Sequence, residues 1–250
     1  MSLSQKILYY VGCTTCHLYP ETGKAMKKIL DTIGIDVEIR DDEPCCGGAL
    51  FIMGHIGEGI KKVKENIEYF KIHKIGKIIV NCPECYKTLK YDYPKVEKEF
   101  NIQVQHSTEI IAQAIKEGKL SLSKEVPLKI TYHDSCHLGR YGGLYDEPRF
   151  IIKSIPGIKY KEMEFYKEHA VCCGGPIREP YIELRNQMSL TNLDLAKRIK
   201  HLVTACPTCY YNLDGVAQLF EHKVKVIELI NLVAYSAGLI SEIPGVELGG

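Results

Sequence analysis

The sequence has no excess of charge of either sign, because 32 Lys plus Arg residues stand against 31 Asp plus Glu in 250 residues. This balance gives neither the basic field that nucleic-acid binding needs nor an acidic tail. Long apolar runs are also missing. The most apolar late stretch, residues 224–240, is interrupted by Lys225, Glu228 and Asn231, so it predicts an amphipathic helix and no membrane span.

Two sequence signals are absent as well. The first residues, Met1 to Lys6, contain no apolar core, so we expect no secretory signal and a cytoplasmic location, at most peripheral at a membrane through partners. No G-x-G-x-x-G motif follows the first predicted strand, which argues against a flavin or nicotinamide site. Any redox chemistry of this chain therefore needs a partner that supplies or accepts electrons.

What the sequence does have is cysteine, in a pattern that occurs twice. Ten of its 11 cysteines form two sets with the same order: a single cysteine, an adjacent Cys-Cys-Gly, and a Cys-Pro-x-Cys. The first set is Cys13, Cys45, Cys46, Cys82 and Cys85, and the second is Cys136, Cys172, Cys173, Cys206 and Cys209. Such ordering indicates a function that the cysteines share.

The spacing between the two sets indicates an internal duplication. Cys13 and Cys136 are 123 positions apart, and Cys82 and Cys206 are 124 positions apart. We therefore predict two similar domains, residues 1–122 and 123–250, joined near residues 118–127. Each half is long enough to bury a core of its own, and a hydrophobic content of 45% suffices for that.

Short apolar runs end where the cysteines begin, as buried strands would. Strands are predicted at residues 7–11, 37–39, 77–81, 129–132, 158–164 and 202–205, and helices at residues 20–33, 57–74 and 179–200 and from Pro83 and Pro207. This alternation predicts an α/β protein of two similar lobes, each a small parallel sheet with flanking helices. Because such sheets place ligands beyond the carboxyl ends of their strands, three cysteine loops per lobe would converge there.

Disulfide bonds suit these cysteines poorly, since a reducing compartment keeps thiols free, the count is odd and adjacent cysteines pair badly. Metal binding is the better class. A structural zinc site uses four ligands and an ordinary cubane cluster uses four thiolates, whereas each set offers five. The adjacent pair therefore suggests an unusual cluster, or a thiolate that bridges two irons. We interpret each lobe as an iron–sulfur site, with zinc in one or both lobes as the alternative.

The residues around the cysteines make a resemblance specific. They are Tyr10-Val11-Gly12-Cys13, Cys45-Cys46-Gly47-Gly48, Asn81-Cys82-Pro83-Glu84-Cys85-Tyr86, Tyr132-His133-Asp134-Ser135-Cys136-His137-Leu138-Gly139-Arg140, Cys172-Cys173-Gly174-Gly175-Pro176 and Cys206-Pro207-Thr208-Cys209-Tyr210. With these motifs the chain resembles, from about residue 7 to 240, the cysteine-rich CCG domain of the B-type subunit of heterodisulfide reductase and the carboxyl half of its D-type subunit. Similar domains occur in iron–sulfur subunits of glycolate and lactate oxidases.

The resemblance implies two noncubane 4Fe–4S clusters, each held by one complete five-cysteine set, in a cavity between the lobes. It implies the reduction, or in reverse the formation, of a disulfide by a catalytic subunit of a heterodisulfide reductase-like complex. The implied partners are a ferredoxin-like iron–sulfur protein similar to the C-type subunit and a flavin protein similar to the A-type subunit. Splitting a disulfide takes two electrons and leaves two thiolates, which suits one cluster iron near each sulfur.

Two other functions remain open from the sequence. The chain could be an electron-transfer subunit that links a dehydrogenase to the quinone pool, as some relatives of this kind do. It could also be part of a sulfur-oxidising heterodisulfide reductase-like complex that acts on protein-bound sulfane sulfur. A neighbouring dehydrogenase gene would favour the first alternative, and a neighbouring lipoate-carrier gene the second.

Several side chains beside the motifs are candidates for work on a substrate. His133 and His137 flank Cys136, where each could donate a proton to a departing thiolate or a hydrogen bond to a cluster sulfide, or simply be a satisfied loop histidine. Arg140 and Arg178 could hold an anionic substrate group, although ion pairing at the surface is the commoner role of arginine.

Weaker candidates are His17 and Lys87, which also stand near cysteine motifs. Cys16 forms a Cys-x-x-Cys with Cys13, a pattern that invites a thioredoxin-like interpretation. Because the repeated pattern already requires Cys13 as a ligand, we predict that Cys16 is a bystander.

Overall fold

The computed structural model describes residues 5–177 and 181–248. In the first half, proline stands at the first or second position of three helices, where its missing N–H costs nothing. A π-helical turn, Thr88–Asp92, joins the helices Pro83–Lys87 and Tyr93–Val96. The elements are β1 (Lys6–Tyr10), α1 (Cys13–Leu18), α2 (Pro20–Thr32), α3 (Gly48–Ile52), α4 (Ile56–Ile72), β2 (Ile75–Val80), α5 (Pro83–Lys87), α6 (Tyr93–Val96), β3 (Gln103–His106) and α7 (Ser107–Lys116).

The second half follows the same scheme of strands and helices, with an additional strand, Lys159–Tyr160, and fewer short helices. A short 3-10 helix, Lys167–His169, precedes the second Cys-Cys-Gly. The other elements of the second half are β4 (Lys129–His133), α8 (Asp146–Ser154), β5 (Lys159–Tyr160), α9 (Ile182–Ala196), β6 (His201–Thr204), α10 (Pro207–Leu219), β7 (Lys225–Glu228) and α11 (Leu229–Ser236).

The two parallel sheets share one strand order. The first sheet runs β1-β2-β3, and a single parallel bridge between Leu8 and Glu38 places a fourth chain segment beside β1. The second sheet runs β5-β4-β6-β7, so β5 stands where the Glu38 segment stands in the first. All these pairings are parallel. The predicted α/β fold with an internal duplication is therefore confirmed.

Three local predictions differ from the structure. The strand predicted at residues 37–39 shrinks to the bridge at Glu38, and the strand predicted at residues 158–164 shrinks to Lys159–Tyr160. The amphipathic helix predicted over residues 224–240 is wrong, because this stretch is strand β7 followed by α11, whose residues are all buried. Glu228 and Asn231, the polar residues that suggested a solvent-exposed face, are instead buried against the first half. The Thr22 hydroxyl donates to Glu228 Oε2 at 2.5 Å and accepts from Asn231 Nδ2 at 3.1 Å.

The halves are joined by reciprocal helix packing. Helix α2 of the first half packs against α11 of the second, and α8 of the second packs against α7 of the first. Since α2 and α8 occupy equivalent places, as do α7 and α11, the two contacts are copies of one interface, as in an isologous dimer. One hydrophobic core accordingly includes residues of both sheets, among them Tyr9, Ile79, Ile130 and Val203.

Two outer cores flank this shared core, and three cysteines of each set lie in them. Cys46, Cys82 and Cys85 pack with Phe70 and Tyr86 in the first half. Cys173, Cys206 and Cys209 pack with Leu193 and Leu213 in the second. In the residues that the structure describes, we find no helix with the length and apolarity that crossing a bilayer requires.

Candidate functional site

Cysteine loops follow corresponding strands in the two lobes. Cys13 and Cys136 follow β1 and β4, and Cys82 and Cys206 follow β2 and β6. Gly12, with a φ of 78°, precedes Cys13 at the start of α1. Cys82 and Cys206 are the residues that precede the first turns of α5 and α10, and each has extended backbone before a proline. The predicted position of the thiols beyond the carboxyl ends of the strands thus agrees with the structure for these loops.

In the first lobe the five thiols form one continuous chain of neighbouring groups, each of which perturbs the next. Cys13 contacts Cys45, Cys45 contacts Cys46, Cys46 contacts Cys85, and Cys85 contacts Cys82. Cys46, Cys82 and Cys85 are buried, whereas Cys13 and Cys45 reach the surface. The first set therefore assembles at one place from three separate loops.

The second lobe repeats this chain in the same order. Cys136 contacts Cys172, Cys172 contacts Cys173, Cys173 contacts Cys209, and Cys209 contacts Cys206. The Sγ atoms of Cys173 and Cys209 are 3.2 Å apart. Both predicted sets are thus brought together, and each residue of one set has its counterpart in the other.

The electrostatics of these groups suit a soft metal. A hydrogen bond from Cys13 lowers the pKa of the Cys45 thiol, and one from Cys136 lowers the pKa of Cys172. The same bonds, aided by burial, raise the pKa of Cys13 and of Cys136. Five thiolates cannot stay charged side by side in a poorly hydrated pocket unless cations compensate them. Sulfur donors in this number select iron–sulfur chemistry over a single four-coordinate zinc.

Side-chain amides from the long helices hold the Cys-Cys backbone in both lobes. Asn66 on α4 donates to the Cys45 carbonyl oxygen at 2.8 Å, and Asn192 on α9 donates to that of Cys172 at 3.2 Å. Tyr93 also donates to the Cys46 carbonyl oxygen at 3.0 Å. Sequence reasoning missed these residues, although Asn66 and Asn192 are 126 positions apart, close to the offset between the cysteine sets.

The glycine after each cysteine pair has a backbone reason. Gly47 has a φ of 79° and Gly174 a φ of 80°, in the left-handed region that other residues adopt at a cost. A Cβ on Gly174 would also lie 3.0 Å from the Arg185 carbonyl oxygen. The tight turn lets Gly174 N approach the Cys172 sulfur at 3.4 Å.

A carboxylate ties the strand end to the Cys-Cys loop in each lobe. In the first, Glu43 accepts from the backbone N–H groups of Val11 and Gly12, both at 2.8 Å, and burial raises its pKa to about 7. In the second, Asp134 at the end of β4 accepts from Lys167 N at 2.7 Å. Glu43 precedes the Cys-Cys pair and binds the end of the strand, whereas Asp134 follows the strand and binds the segment before the Cys-Cys pair.

A cavity of about 300 Å³ opens beside the first thiol chain and has walls from both lobes. Its lining contains all five cysteines of the first set, together with Thr14, Ala49, Ile52, Met53, Glu84, Gly175, Pro176 and Thr208. The last three belong to the second lobe, where a Cβ on Gly175 would lie 3.3 Å from Cys173 Sγ. The cavity therefore lies between the first cysteine set and the loops that carry the second.

The two predicted histidines differ in their surroundings. His133 is buried, its Nδ1 lies 3.1 Å from Asn192 Oδ1, and burial lowers its pKa. His137 is partly buried, with Nδ1 at 3.6 Å from Cys136 Sγ and its ring stacked on Tyr141. Burial is the main cause that lowers the pKa of His137, and the nearby ammonium group of Lys87 lowers it further.

The remaining candidates lie further from the thiols or are engaged elsewhere. Arg140 is exposed and donates through Nη1 to the Ala170 carbonyl oxygen at 2.7 Å, just before the second Cys-Cys loop. Lys87 is paired with Asp92 at 2.5 Å. His17 and Cys16 are exposed on α1. Arg178 lies outside the described residues.

Comparison with known proteins agrees with this geometry. The cysteine-rich domain, CCG, matches residues 7–90 and again residues 130–214. The chain is 33% identical over 245 residues to the D-type subunit of the dihydromethanophenazine:CoB–CoM heterodisulfide reductase of Methanosarcina acetivorans, covering 94% of this chain and 60% of that protein. The resemblance predicted from the motifs is thereby confirmed.

Two further relatives come from bacteria. EtfAB:quinone oxidoreductase of Syntrophomonas wolfei is 34% identical over 242 residues, which cover 90% of this chain and 34% of that protein. A probable iron–sulfur-binding oxidoreductase of Bacillus subtilis, FadF, is 36% identical over 179 residues, 69% of this chain and 25% of that protein. This chain thus spans about 60% or less of the length of these relatives. Through the two matches of the domain, which cover more than half of its residues, the chain belongs to the cysteine-rich CCG domain family, and its relatives have the names of iron–sulfur oxidoreductases.

Proposed function

We propose that this chain is the catalytic iron–sulfur subunit of a heterodisulfide reductase-like complex and that it reduces, or forms, a disulfide at paired noncubane 4Fe–4S clusters. The observation that carries the proposal is the repeated chain of five thiols, in the same order in both lobes, beside a cavity with walls from both. A single electron-transfer cluster would need neither the second set nor a shared cavity.

Each cysteine set would hold one cluster. Cys13, Cys45, Cys46, Cys82 and Cys85 would hold the first, and Cys136, Cys172, Cys173, Cys206 and Cys209 the second. We assign residues 1–122 to the first CCG domain and residues 123–250 to the second. The reciprocal packing of α2 on α11 and of α7 on α8 supports a fixed relative position of the two sets.

The reaction converts one disulfide, two electrons and two protons into two thiols. When bound, the clusters would supply one electron each and iron atoms able to take up the thiolate sulfurs. The protein would contribute the cavity, which has an apolar wall of Ala49, Ile52, Met53 and Pro176 beside the cysteines of the first set. His137, beside Cys136, is our candidate for carrying a proton to a departing sulfur.

Anion recognition would come from cationic side chains near the cysteine motifs. Lys87 lies 5.8 Å from the centre of the Tyr141 ring, on which His137 stacks, so its ammonium group reaches the second lobe. Arg140 keeps the loop before Cys172 in place through Ala170, and its remaining N–H groups are our candidates for a substrate carboxylate or phosphate. Arg178 remains a sequence-based candidate for the same role.

Partners follow from the missing dinucleotide motif and from the relatives. The chain has to exchange electrons with another protein, and the matched heterodisulfide reductase protein is by name one subunit among several. We therefore propose a ferredoxin-like iron–sulfur partner, fed by a flavin subunit.

Anaerobic reconstitution of the whole chain tests the proposal. We expect about eight irons and eight sulfides per chain, little zinc, and an electron paramagnetic resonance signal that changes when a small disulfide or its thiols are added. Matched variants, Cys82→Ser in the first lobe and Cys206→Ser in the second, should each lose about half of the iron. A full iron content with a signal that no disulfide or thiol alters would contradict disulfide chemistry.

A second function has one observation in its favour, the similarity to EtfAB:quinone oxidoreductase. In that case the chain would pass electrons between a dehydrogenase and a quinone. Reduced protein that is reoxidised by a quinone analogue, but not by any disulfide, would favour this function over the first.

A further inference from the structure

The two thiol sites differ at one buried position. Tyr10 and His133 both end the first strand of their lobe and both precede the first cysteine of their set by three residues. Tyr10 donates its hydroxyl hydrogen to the Pro44 carbonyl oxygen, so its polar atom is used within the backbone. His133 is 1% exposed, and its Nε2 is without a hydrogen-bond partner among the described residues.

The hydrogen bonds around His133 decide which ring nitrogen carries the proton. Asn192 donates through Nδ2 to the carbonyl oxygens of Cys172 and Met188, at 3.2 and 2.9 Å. Its Oδ1 is thereby turned toward His133 Nδ1, at 3.1 Å, and can only accept. The Nδ1–H of His133 therefore donates to Asn192, and in the neutral ring Nε2 presents a lone pair.

A ring nitrogen of His133 lies close to sulfur atoms of the second set. A ring nitrogen of His133 and the Sγ atoms of Cys173 and Cys209 all lie within 4.8 Å of one another, and Nε2 is the nitrogen that Asn192 leaves open. No other group of three such ligand atoms converges this closely within residues 5–177 and 181–248. The first lobe, with Tyr10 in this place, offers no nitrogen.

We propose that His133 Nε2 is a metal ligand of the second site, which makes that site a mixed sulfur and nitrogen site while the first is all sulfur. The inference rests on the proposed iron–sulfur site of the second lobe. A metal-binding imidazole characteristically donates its other N–H to an oxygen that sets its orientation, and Asn192 does this here. Imidazole is also a good ligand for iron.

The difference has a redox consequence. An imidazole bound to one iron changes the donor set of the second cluster, and the ligands are among the factors that set a cluster's reduction potential. The two sites would then accept electrons at different potentials. Two sites built by duplication would in this way receive unequal roles.

Pulsed electron paramagnetic resonance of the holoprotein, grown with 15N-labelled histidine, tests this ligand. We expect the strong coupling of a directly bonded nitrogen, lost in His133→Leu and retained in His137→Gln, the matched control beside Cys136. In addition, a redox titration should show that one of two midpoints is shifted in His133→Leu and the other is unchanged. If His133→Leu fails to fold, His133→Cys returns a thiolate to the same place and should keep the iron without the nitrogen coupling.

The outcomes separate this inference from the proposed function. About eight irons per chain with no directly bonded nitrogen would refute His133 as a ligand and would remain consistent with the two proposed clusters. Coupling that persists in the His133 variants, or unchanged midpoints in both sites, would also overturn it. Only about four irons in the wild-type chain, unaffected by Cys206→Ser, would contradict the cluster of the second lobe and this ligand with it.

Discussion

Arg149→Met should be among the most destabilising single changes in this protein. Arg149 is 6% exposed and forms a two-pronged ion pair with Asp134, which is 3% exposed, at 2.8 and 2.7 Å. Without the guanidinium, Asp134 keeps only the Lys167 N–H as a donor among the described residues. A buried charge that loses its partner costs about 3–5 kcal/mol. Glu162, the other partner, is 32% exposed and can hydrate, so it adds little.

Urea unfolding of the metal-free chain measures this loss. With a slope of about 3 kcal/mol per M, the midpoint should fall by about 1 to 1.7 M. Arg198→Met, at an exposed arginine, is the control and should stay within about 0.5 kcal/mol of wild type. Asp134→Asn added to Arg149→Met should recover much of the loss, because the buried charge is gone. A loss below about 1 kcal/mol, or no recovery in the double variant, would refute the reasoning.

Three further predictions concern the site and the interface between the lobes. Cys46→Ser should halve the iron content, whereas Cys16→Ser should leave it unchanged; equal losses in an iron assay would contradict the assignment. Asn66→Ala should cost about 1–3 kcal/mol in urea unfolding, since it leaves the Cys45 carbonyl without its donor, and should lower iron in the first lobe. Burial raises the pKa of Glu228 to about 7, above its unfolded value, so stability falls as pH rises between about 4.3 and 7. Glu228→Gln should reduce the stability difference between pH 5 and pH 8 by roughly 3 kcal/mol, and an unchanged difference would argue against this titration.

Local patterns made much of the fold predictable. The strands that precede Cys13, Cys82 and Cys206 are short apolar runs, and Pro83 and Pro207 mark the helix starts that follow the last two. The prediction failed at residues 224–228, where β-branched residues and an isolated glutamate allow either a strand or a helix. Only the contact of Glu228 with Thr22, 206 positions away, explains why that polar group is buried.

The sequence by itself determined the duplication, the two cysteine sets and the parallel α/β class, because these depend on spacing and on hydrophobic patterns within each half. Only the tertiary structure decided how the halves join and how the two sites differ. The reciprocal packing of α2 on α11 and of α7 on α8, the amide of Asn192 and the free nitrogen of His133 all depend on which side chains meet after folding. Such contacts join residues far apart in the chain, and local spacing carries no record of them.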